Sequence, residues 1–442
     1  MLDIKYIRDN TDKIKETCKN KNINLDVDNL LELDKKRVDF QIRIEELRAK
    51  RNEISAQNKQ FRPDAEQIQK GKEIKEEIQK LEEDSKSVND EYFDLMSRVP
   101  LIPSSDTPIG KDDTENPEVK KWSREAGEGG EPEKKDFELK DHIELALNLN
   151  LLDLERGRKT AGFRGYYLKN ELSFLHMAIM MYGLDLIYKK GFEAFIPPTI
   201  VKKDALFGSG HFPFDEENIY VIDSLKHTKE DDEVEGRDTK YLAGTAEPSI
   251  LNYHRGEVLE EEKLPIKMAG FSQCYRSEVG GYGKDTRGLY RIHEFMKIEQ
   301  VVFCKNDYEV SNKLQDEMIS YSEELLQNLE LSYRIVQVCT GDMGAGKYRM
   351  FDIETWMPSR GGYGETHSAS NLGDWQSRRL NIKIKDKDGN KYFPHALNNT
   401  VVASPRVLIA VLENYQEKDG SIRIPKVLQK YMPGGLEVIK KK

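Results

Sequence analysis

The densest chemistry in the sequence lies between Cys274 and Gln300, in CYRSEVGGYGKDTRGLYRIHEFMKIEQ. Arg276, Arg287 and Arg291 offer forked guanidinium donors, which suit phosphate or carboxylate oxygens. Glu278 and Glu299 stand among them, as a ligand carrying both signs of charge would require. From Arg291 the odd positions read Arg291, His293, Phe295, Lys297 and Glu299. Ile292, Met296 and Ile298 fall between them, with Glu294 the one charge on that side. A strand turns successive side chains to opposite faces, so the segment predicts one apolar face and one of mixed charge. Arg276 and Glu278 share a face on the way in, and Gly280, Gly281 and Gly283 permit a turn. The stretch reads as an antiparallel hairpin. Its charged face is either a solvated set of ion pairs or a surface for a charged ligand.

Three other segments hold compatible side chains. GTAEPS (244–249) places Thr245 and Glu247 near a glycine. GYGETHSASN (362–371) places Glu365, Ser368 and Ser370 after glycines. HALNNTVVASPRVLIAVLEN (395–414) places Asn398 and Thr400 ahead of Arg406. Taken singly, each is equally compatible with a loop or a helix start. GDMGAGKY (341–348) approaches a phosphate-loop pattern, but Tyr348 stands where the magnesium-binding hydroxyl belongs and a strand pattern follows, so it is given little weight. His367 and His395 have no second metal ligand at a typical spacing and read as hydrogen-bonding or packed histidines. Cys18, Cys274, Cys304 and Cys339 are scattered, form no C-x-x-C pair and give no zinc framework. No Gly-x-Ser-x-Gly elbow is present, which argues against a serine hydrolase.

The elements that must position these residues fall into two regions. In the first hundred residues, Leu30, Leu33, Arg37, Phe40, Ile44, Leu47, Arg51 and Ile54 follow alternating steps of three and four. So do Ile74, Ile78, Leu81, Ser85, Val88, Tyr92, Leu95 and Val99. Both are heptad patterns, and Pro63 interrupts the segment between them. The pattern predicts an antiparallel two-helix coiled-coil arm that projects roughly 45 Å. Such an arm commonly serves dimerisation or spacing. Its tip, however, carries Arg48, Lys50, Arg51, Lys59 and Arg62 with only Glu53 opposing them between 48 and 62, a candidate patch for a phosphate backbone. An acidic, glycine-rich linker is expected from Gly110 to about Lys135.

Beyond it, 171–190 and 404–416 read as helices. GFEAFIPPTIV (191–201) reads as a strand with a proline bend. LPIKMAGFSQCYRSE, RIHEFMKIEQVVF, YRIVQVCT, RMFDIETWM, RRLNIKIK and FPHALNNTVV also read as strands. The expected class is α+β, an antiparallel sheet flanked by helices. The polar stretch 224–238 reads as an exposed loop. With 442 residues and a net charge of -10 the chain is long enough for two or three domains and is no general nucleic-acid binder. The N-terminal MLDIKYIRDN lacks a signal-peptide apolar run, and VLIAVL (407–412) is among the longest apolar runs, so a soluble cytoplasmic protein without membrane partners is expected.

Together the motifs carry a family resemblance. RSE, a loop and TRGLYRIHEFMKIE resemble motif 2 of the class II aminoacyl-tRNA synthetases. VVASPRVLIAVLENYQ resembles motif 3, and GFEAFIPPTIV the motif 1 dimer segment. The TAE element, the ETHSAS segment and the arm are similar to the seryl branch, over the whole chain to PKVLQKYMPGG. The resemblance implies an N-terminal tRNA-binding domain (1–110, its arm at about 28–100) and a catalytic domain (111–442) in a homodimer. It implies the ATP-dependent joining of L-serine to serine tRNA with its long variable arm, and leaves selenocysteine tRNA open.

By the same resemblance, Arg276, Glu278 and Arg406 are the catalytic set. Arg276 meets the ATP α-phosphate and the serine carboxylate, Glu278 the adenine side, and Arg406 the far phosphates. Ser277, Ile292, Thr366 and His367 join the ATP site, with Phe295 stacking on the base. Glu365 and Ser368 hold Mg2+, with Glu354 a neighbour. Thr245, Ala246, Glu247, Glu299, Asn398 and Thr400 hold serine. A retired copy that only binds partners, and a class II ligase for another amino acid or a carrier protein, remain as alternatives.

Overall fold

The computed structural model describes residues 1–60, 65–222, 239–279 and 287–441, without side chains at 57–60. The stretch 224–238, the side chain of Lys59, Arg62, Pro63 and the glycines at 280, 281 and 283 therefore lie outside the described residues. The chain divides into two compact units, Met1–Ile102 and Pro103–Lys442. Among the described residues no helix is long and apolar enough to cross a membrane.

The first unit is helical: α1 (Ile4–Asp9), α2 (Thr11–Asn20), α3 (Val27–Gln60) and α4 (Ala65–Arg98). Asp26 Oδ1 accepts from Asn29 N at 2.9 Å and so caps the start of α3. The heptad positions become the seam between the long helices. Leu47, Ile74 and Ile78 are buried, and Ile54 and Leu81 pack on them. Arg43 meets Glu77 at 3.1 Å and Arg48 meets Glu82 at 2.7 Å. Asn29 of α3 donates to Glu91 of α4, so from Asn29–Glu91 to Arg43–Glu77 the first partner moves up the chain as the second moves down it, and the two helices are folded back on each other. Asp34 is fully buried between Arg8 and Arg37, and the Arg37 guanidinium lies 4.8 Å over the Tyr92 ring.

The second unit is built on a nine-stranded sheet. Its strands are β1 (Glu118–Ser123), β2 (Gly127–Glu128), β3 (Glu193–Phe195), β4 (Ile266–Tyr275), β5 (Glu294–Cys304), β6 (Tyr333–Gln337), β7 (Arg349–Met357), β8 (Gly362–Asn371) and β9 (His395–Ser404), in spatial order β2-β1-β6-β7-β8-β9-β5-β4-β3. All pairs are antiparallel except β3 with β4.

The helices are α5 (Asn170–Lys189), α6 (Lys203–Ser209), α7 (Glu247–Tyr253), α8 (Tyr308–Asn328), α9 (Trp375–Leu380) and α10 (Arg406–Asn414). One sheet face packs Ile298 and Val302 against Leu175 and Ile179 of α5, Met318 and Leu325 of α8 and Leu408 of α10. The other face packs Val301 and Phe303 against Ile250 and Leu251 of α7 and against Leu380. The alternation of β5 thus separates two cores, and the odd face is the one that continues toward the hairpin.

Two expectations are corrected. The linker expected at 110–135 contributes β1 and β2, held by Trp122 stacked on Tyr333 at 5.7 Å and by pairing of Lys121 with Arg334. The strand expected over RRLNIKIK is a helix through Leu380 and a strand only at Lys383–Lys385, because Trp375 and Leu380 are buried on one side of α9 and Asn381 stops it at φ 51°.

Candidate active site

The odd face of β5 delivers Phe295, Lys297 and Glu299 into a cavity of about 430 Å³. Glu299 pairs with Thr400 of β9 across a bulge, where Val401 is the extra residue. Thr400 Oγ1 donates to Glu299 Oε2 at 3.2 Å, and Lys297 Nζ lies 2.9 Å from the same oxygen. Burial pushes the Glu299 carboxyl up, with Lys297 opposing.

Glu247, the first residue of α7, is buried beside them and accepts from Gln376 Nε2 at 2.8 Å and from Asn398 Nδ2. Burial would raise this carboxyl, but Lys347, then His211, then the two amides bring it below the usual range. Thr245 Oγ1 is buried in the same wall with no hydrogen-bond partner among the described residues, so it faces the cavity with its capacity unused. This end therefore presents two carboxylates of unlike environment, two amide or hydroxyl groups and a spare hydroxyl.

The other end is dominated by arginine. Arg276 Nε donates to Gly244 O at 3.2 Å, and its guanidinium lies 5.5 Å from the centre of the Phe295 ring. Arg406, at the start of α10, donates through one nitrogen to Glu365 Oε2 and to Glu365 O, each at 3.0 Å, and rests 4.5 Å over the Tyr290 ring. Burial would raise the Glu365 carboxyl, but Arg406 holds it low. Glu278 sits at φ 51°, a left-handed conformation rare for its type, with Arg291 on its carboxylate at 3.0 Å and Arg164 on its carbonyl at 3.1 Å.

A second bulge, at Thr366 of β8, faces the one at Val401. His367 joins them. Its Nδ1 is 2.8 Å from Thr366 Oγ1 and its Nε2 is 3.0 Å from Val401 O, so Nε2 carries the proton; burial pushes the ring down to about 4 and keeps it neutral.

Of the residues singled out in the sequence, Thr245, Glu247, Arg276, Glu278, Ile292, Phe295, Glu299, Glu365, Thr366, Ser368, Asn398, Thr400 and Arg406 line this one cavity. Ala246, Ser277 and His367 do not. Ala246 packs with Ile250 and Met268, Ser277 donates to Glu217 O at 2.6 Å, and His367 is spent on the bulges. Glu354 is the cross-strand partner of Glu365, and its carboxylate accepts from Arg334 Nε at 2.6 Å. Asp352 lies beside the same pair: it pairs across the ladder with Ser368, its Oδ1 is buried without a partner, and burial plus the Glu365 charge hold its carboxyl well above the usual range. At the arm, Arg48 is ion-paired with Glu82, a partner invisible in a window of 48–62.

Sequence reasoning also missed His211, Lys347 and Tyr290. The GAGK run was the one available signal for Lys347. Of its glycines, Gly346 serves packing, since a Cβ there would lie 2.6 Å from the Trp375 ring.

Family models match in two segments, "Seryl-tRNA synthetase N-terminal domain" over residues 1–103 and "tRNA synthetase class II core domain (G, H, P, S and T)" over 228–415. The serine–tRNA ligase of Deinococcus radiodurans is 42% identical over 443 residues, covering 99% of both chains. The crystal structure of seryl-tRNA synthetase from Pyrococcus horikoshii complexed with ATP aligns with a TM-score of 0.86 at 34% identity, over 100% of each chain. That of cytoplasmic serine–tRNA ligase from Naegleria fowleri in complex with AMP aligns at 0.81 and 30% identity, covering 98% of this chain and 96% of that one. With matches of this extent over both units, the chain belongs to the seryl-tRNA synthetase (serine–tRNA ligase) family of class II aminoacyl-tRNA synthetases.

Proposed function

We propose that the cavity activates L-serine with ATP and transfers it to serine tRNA, with residue roles divided between its two ends. The observation that carries this reading is the pairing, in one cavity, of buried carboxylates at Glu247 and Glu299 with guanidiniums at Arg276 and Arg406. A zwitterionic amino acid needs the first pair and a polyphosphate the second. Glu247 and Glu299 hold the ammonium and hydroxyl of serine, with Thr245, Asn398 and Thr400 beside them. Arg276 spans the serine carboxylate and the α-phosphate. Phe295 stacks on the adenine, Glu278 takes its polar edge, and Arg406 steadies the outer phosphates.

A serine carboxylate oxygen attacks the α-phosphorus, forming one P–O bond as the bond to pyrophosphate breaks. The terminal ribose hydroxyl of tRNA then attacks the acyl carbon, and AMP leaves with the C–O bonding pair. Neither step needs a covalent enzyme intermediate; orientation and charge stabilisation suffice.

Glu365, Ser368 and Asp352 suit Mg2+, because all offer oxygen donors and the buried, partnerless Asp352 Oδ1 beside a second carboxylate favours a cation. When bound, the ion neutralises phosphate charge. The arm, with Lys50 and Arg51 exposed near its end, supports contact with the tRNA backbone. An exposed stripe of Phe174, Met177, Met181 and Tyr188 along α5, together with Ile196 at 87% exposure, supports a homodimer. A cytoplasmic location follows from this role.

Pyrophosphate exchange with each proteinogenic amino acid tests the reading. Serine alone should support it. Equal exchange with another amino acid, or none with any, overturns it.

A further inference from the structure

A network on the far side of α10 reaches the nucleotide end without touching it. Glu413, in the last turn of that helix, is fully buried. It accepts from Ser359 N at 3.0 Å, Ser359 Oγ at 2.8 Å, His142 N at 3.1 Å and His142 Nδ1 at 2.9 Å. A carboxylate facing four donors only accepts, so Nδ1 carries the imidazole proton. The other ring nitrogen, Nε2, receives Leu289 N–H at 3.2 Å, which requires a lone pair there and a neutral ring. The approach is close: a Cβ on Gly288 would lie 2.3 Å from Nε2.

Leu289 is fully buried, and the next residue is Tyr290. The Tyr290 ring lies between the guanidiniums of Arg360 and Arg406, each 4.5 Å from its centre. The Tyr290 carbonyl also accepts from Arg406 Nε at 3.4 Å. A closed circuit results. α10 carries Arg406 at its first turn and Glu413 at its last; Glu413 orients His142, His142 holds Leu289, and Leu289 fixes the ring on which Arg406 rests.

We propose that His142 is a positioning residue for the nucleotide, acting through Leu289 and Tyr290 on the placement of Arg406. The proposal rests on the reading of Arg406 as a phosphate ligand. His142 does not line the cavity, so any effect on ATP must travel through this circuit.

The test separates the two nitrogens. In His142→Asn the amide nitrogen stands near Nδ1 and keeps Glu413, while nothing remains to accept from Leu289. In His142→Gln the amide oxygen reaches toward the Nε2 position. The expected result in serine-dependent pyrophosphate exchange is an ATP KM raised roughly three- to ten-fold by Asn, the worth of one hydrogen bond. Serine KM stays within about two-fold, the melting temperature is unchanged, and Gln recovers most of the loss.

An unchanged ATP KM, an equal rise for both substrates, or a Gln variant as poor as Asn overturns the proposal. Gly288→Ala, which crowds Nε2 from the opposite side, should give the same ATP-selective defect and decides the matter if the Asn variant does not fold. If the wild-type chain supports no ATP-dependent exchange, the reading of the site fails. If it does and the variants do not differ from it, only the role of His142 fails.

Discussion

The arm and the cavity spend charge in opposite ways. Along α3 and α4 the ion pairs Arg43–Glu77 and Arg48–Glu82 keep both side chains about half exposed. Such pairs are screened and replaceable, worth about 0–1 kcal/mol each. In the cavity, Glu247 and Glu299 are buried, and burial prevails at Glu299 while Lys347, His211 and the amides prevail at Glu247, so two carboxylates on one wall shift in opposite directions. The arm therefore holds its shape through an apolar seam. On the proposed reading, its charge serves a large, salt-sensitive ligand, whereas the cavity commits each charge to one atom of a small one.

The sharpest attack on this contrast is Arg276→Lys. A point charge cannot replace a fork shared by carboxylate and phosphate, so exchange should fall by about 10²–10³-fold at unchanged melting temperature. Near-normal exchange would mean that the cavity tolerates charge as loosely as the arm does. Next in size is replacement of residues 37–92 by a short linker. Serylation should drop about tenfold or more, and the log–log salt slope of tRNA binding should shrink by about 0.9 for each lost phosphate contact, while exchange stays within about two-fold. Loss of both reactions together would make the arm a support for the other unit.

Glu299→Gln should raise serine KM by about tenfold and leave ATP KM almost unchanged, as expected for one charge-assisted hydrogen bond of about 1.5–3 kcal/mol. The same carboxyl predicts a pH effect. Its raised pKa means that it takes up a proton before Glu365, which Arg406 holds low, so as pH falls from neutrality serine KM should rise at a pH where the Arg406–Glu365 pair is still intact. A parallel rise in both KM values would remove the distinction between the two ends. The smallest effect belongs to Arg48→Ala, which should change stability by less than about 1 kcal/mol in a denaturant melt. A larger loss would show that the arm, too, depends on individual charges.

Where pattern and burial coincide, the sequence was readable. The part of the period-two run from Glu294 to Glu299 became β5 with Phe295, Lys297 and Glu299 on the cavity side, whereas Arg291, Ile292 and His293 precede the strand and Ile292 lines the same cavity; the run at 171–190 became α5. The strand Glu118–Ser123 was not readable, because EVKKWS has little apolar alternation and is ordered by ladder bonds and by one Trp122–Tyr333 stack. Asp352 was not readable as a neighbour of this site, because its pairing with Ser368, beside the Glu354–Glu365 pair, depends on a register and a bulge that no local pattern contains. His211 reaches the site through contacts distant in sequence, while Tyr290 stands inside the charged stretch but carries no charge to mark it, and Lys347 had only the GAGK run as a signal.

The two bulges, finally, are dislocations in the central strands of the sheet. One sets the phase of the strand that carries Glu365, and the other the phase of the strand that carries Thr400. Because the imidazole of His367 spans the gap between them, the two strands cannot slip independently. The spacing between the metal-side and amino-acid-side groups is therefore gauged by the width of a single rigid ring. The ring has no internal torsion, so its two nitrogens hold Thr366 and Val401 at a fixed divergence, and the relative position of the two strands is set at this point by a rigid body rather than by a flexible side chain.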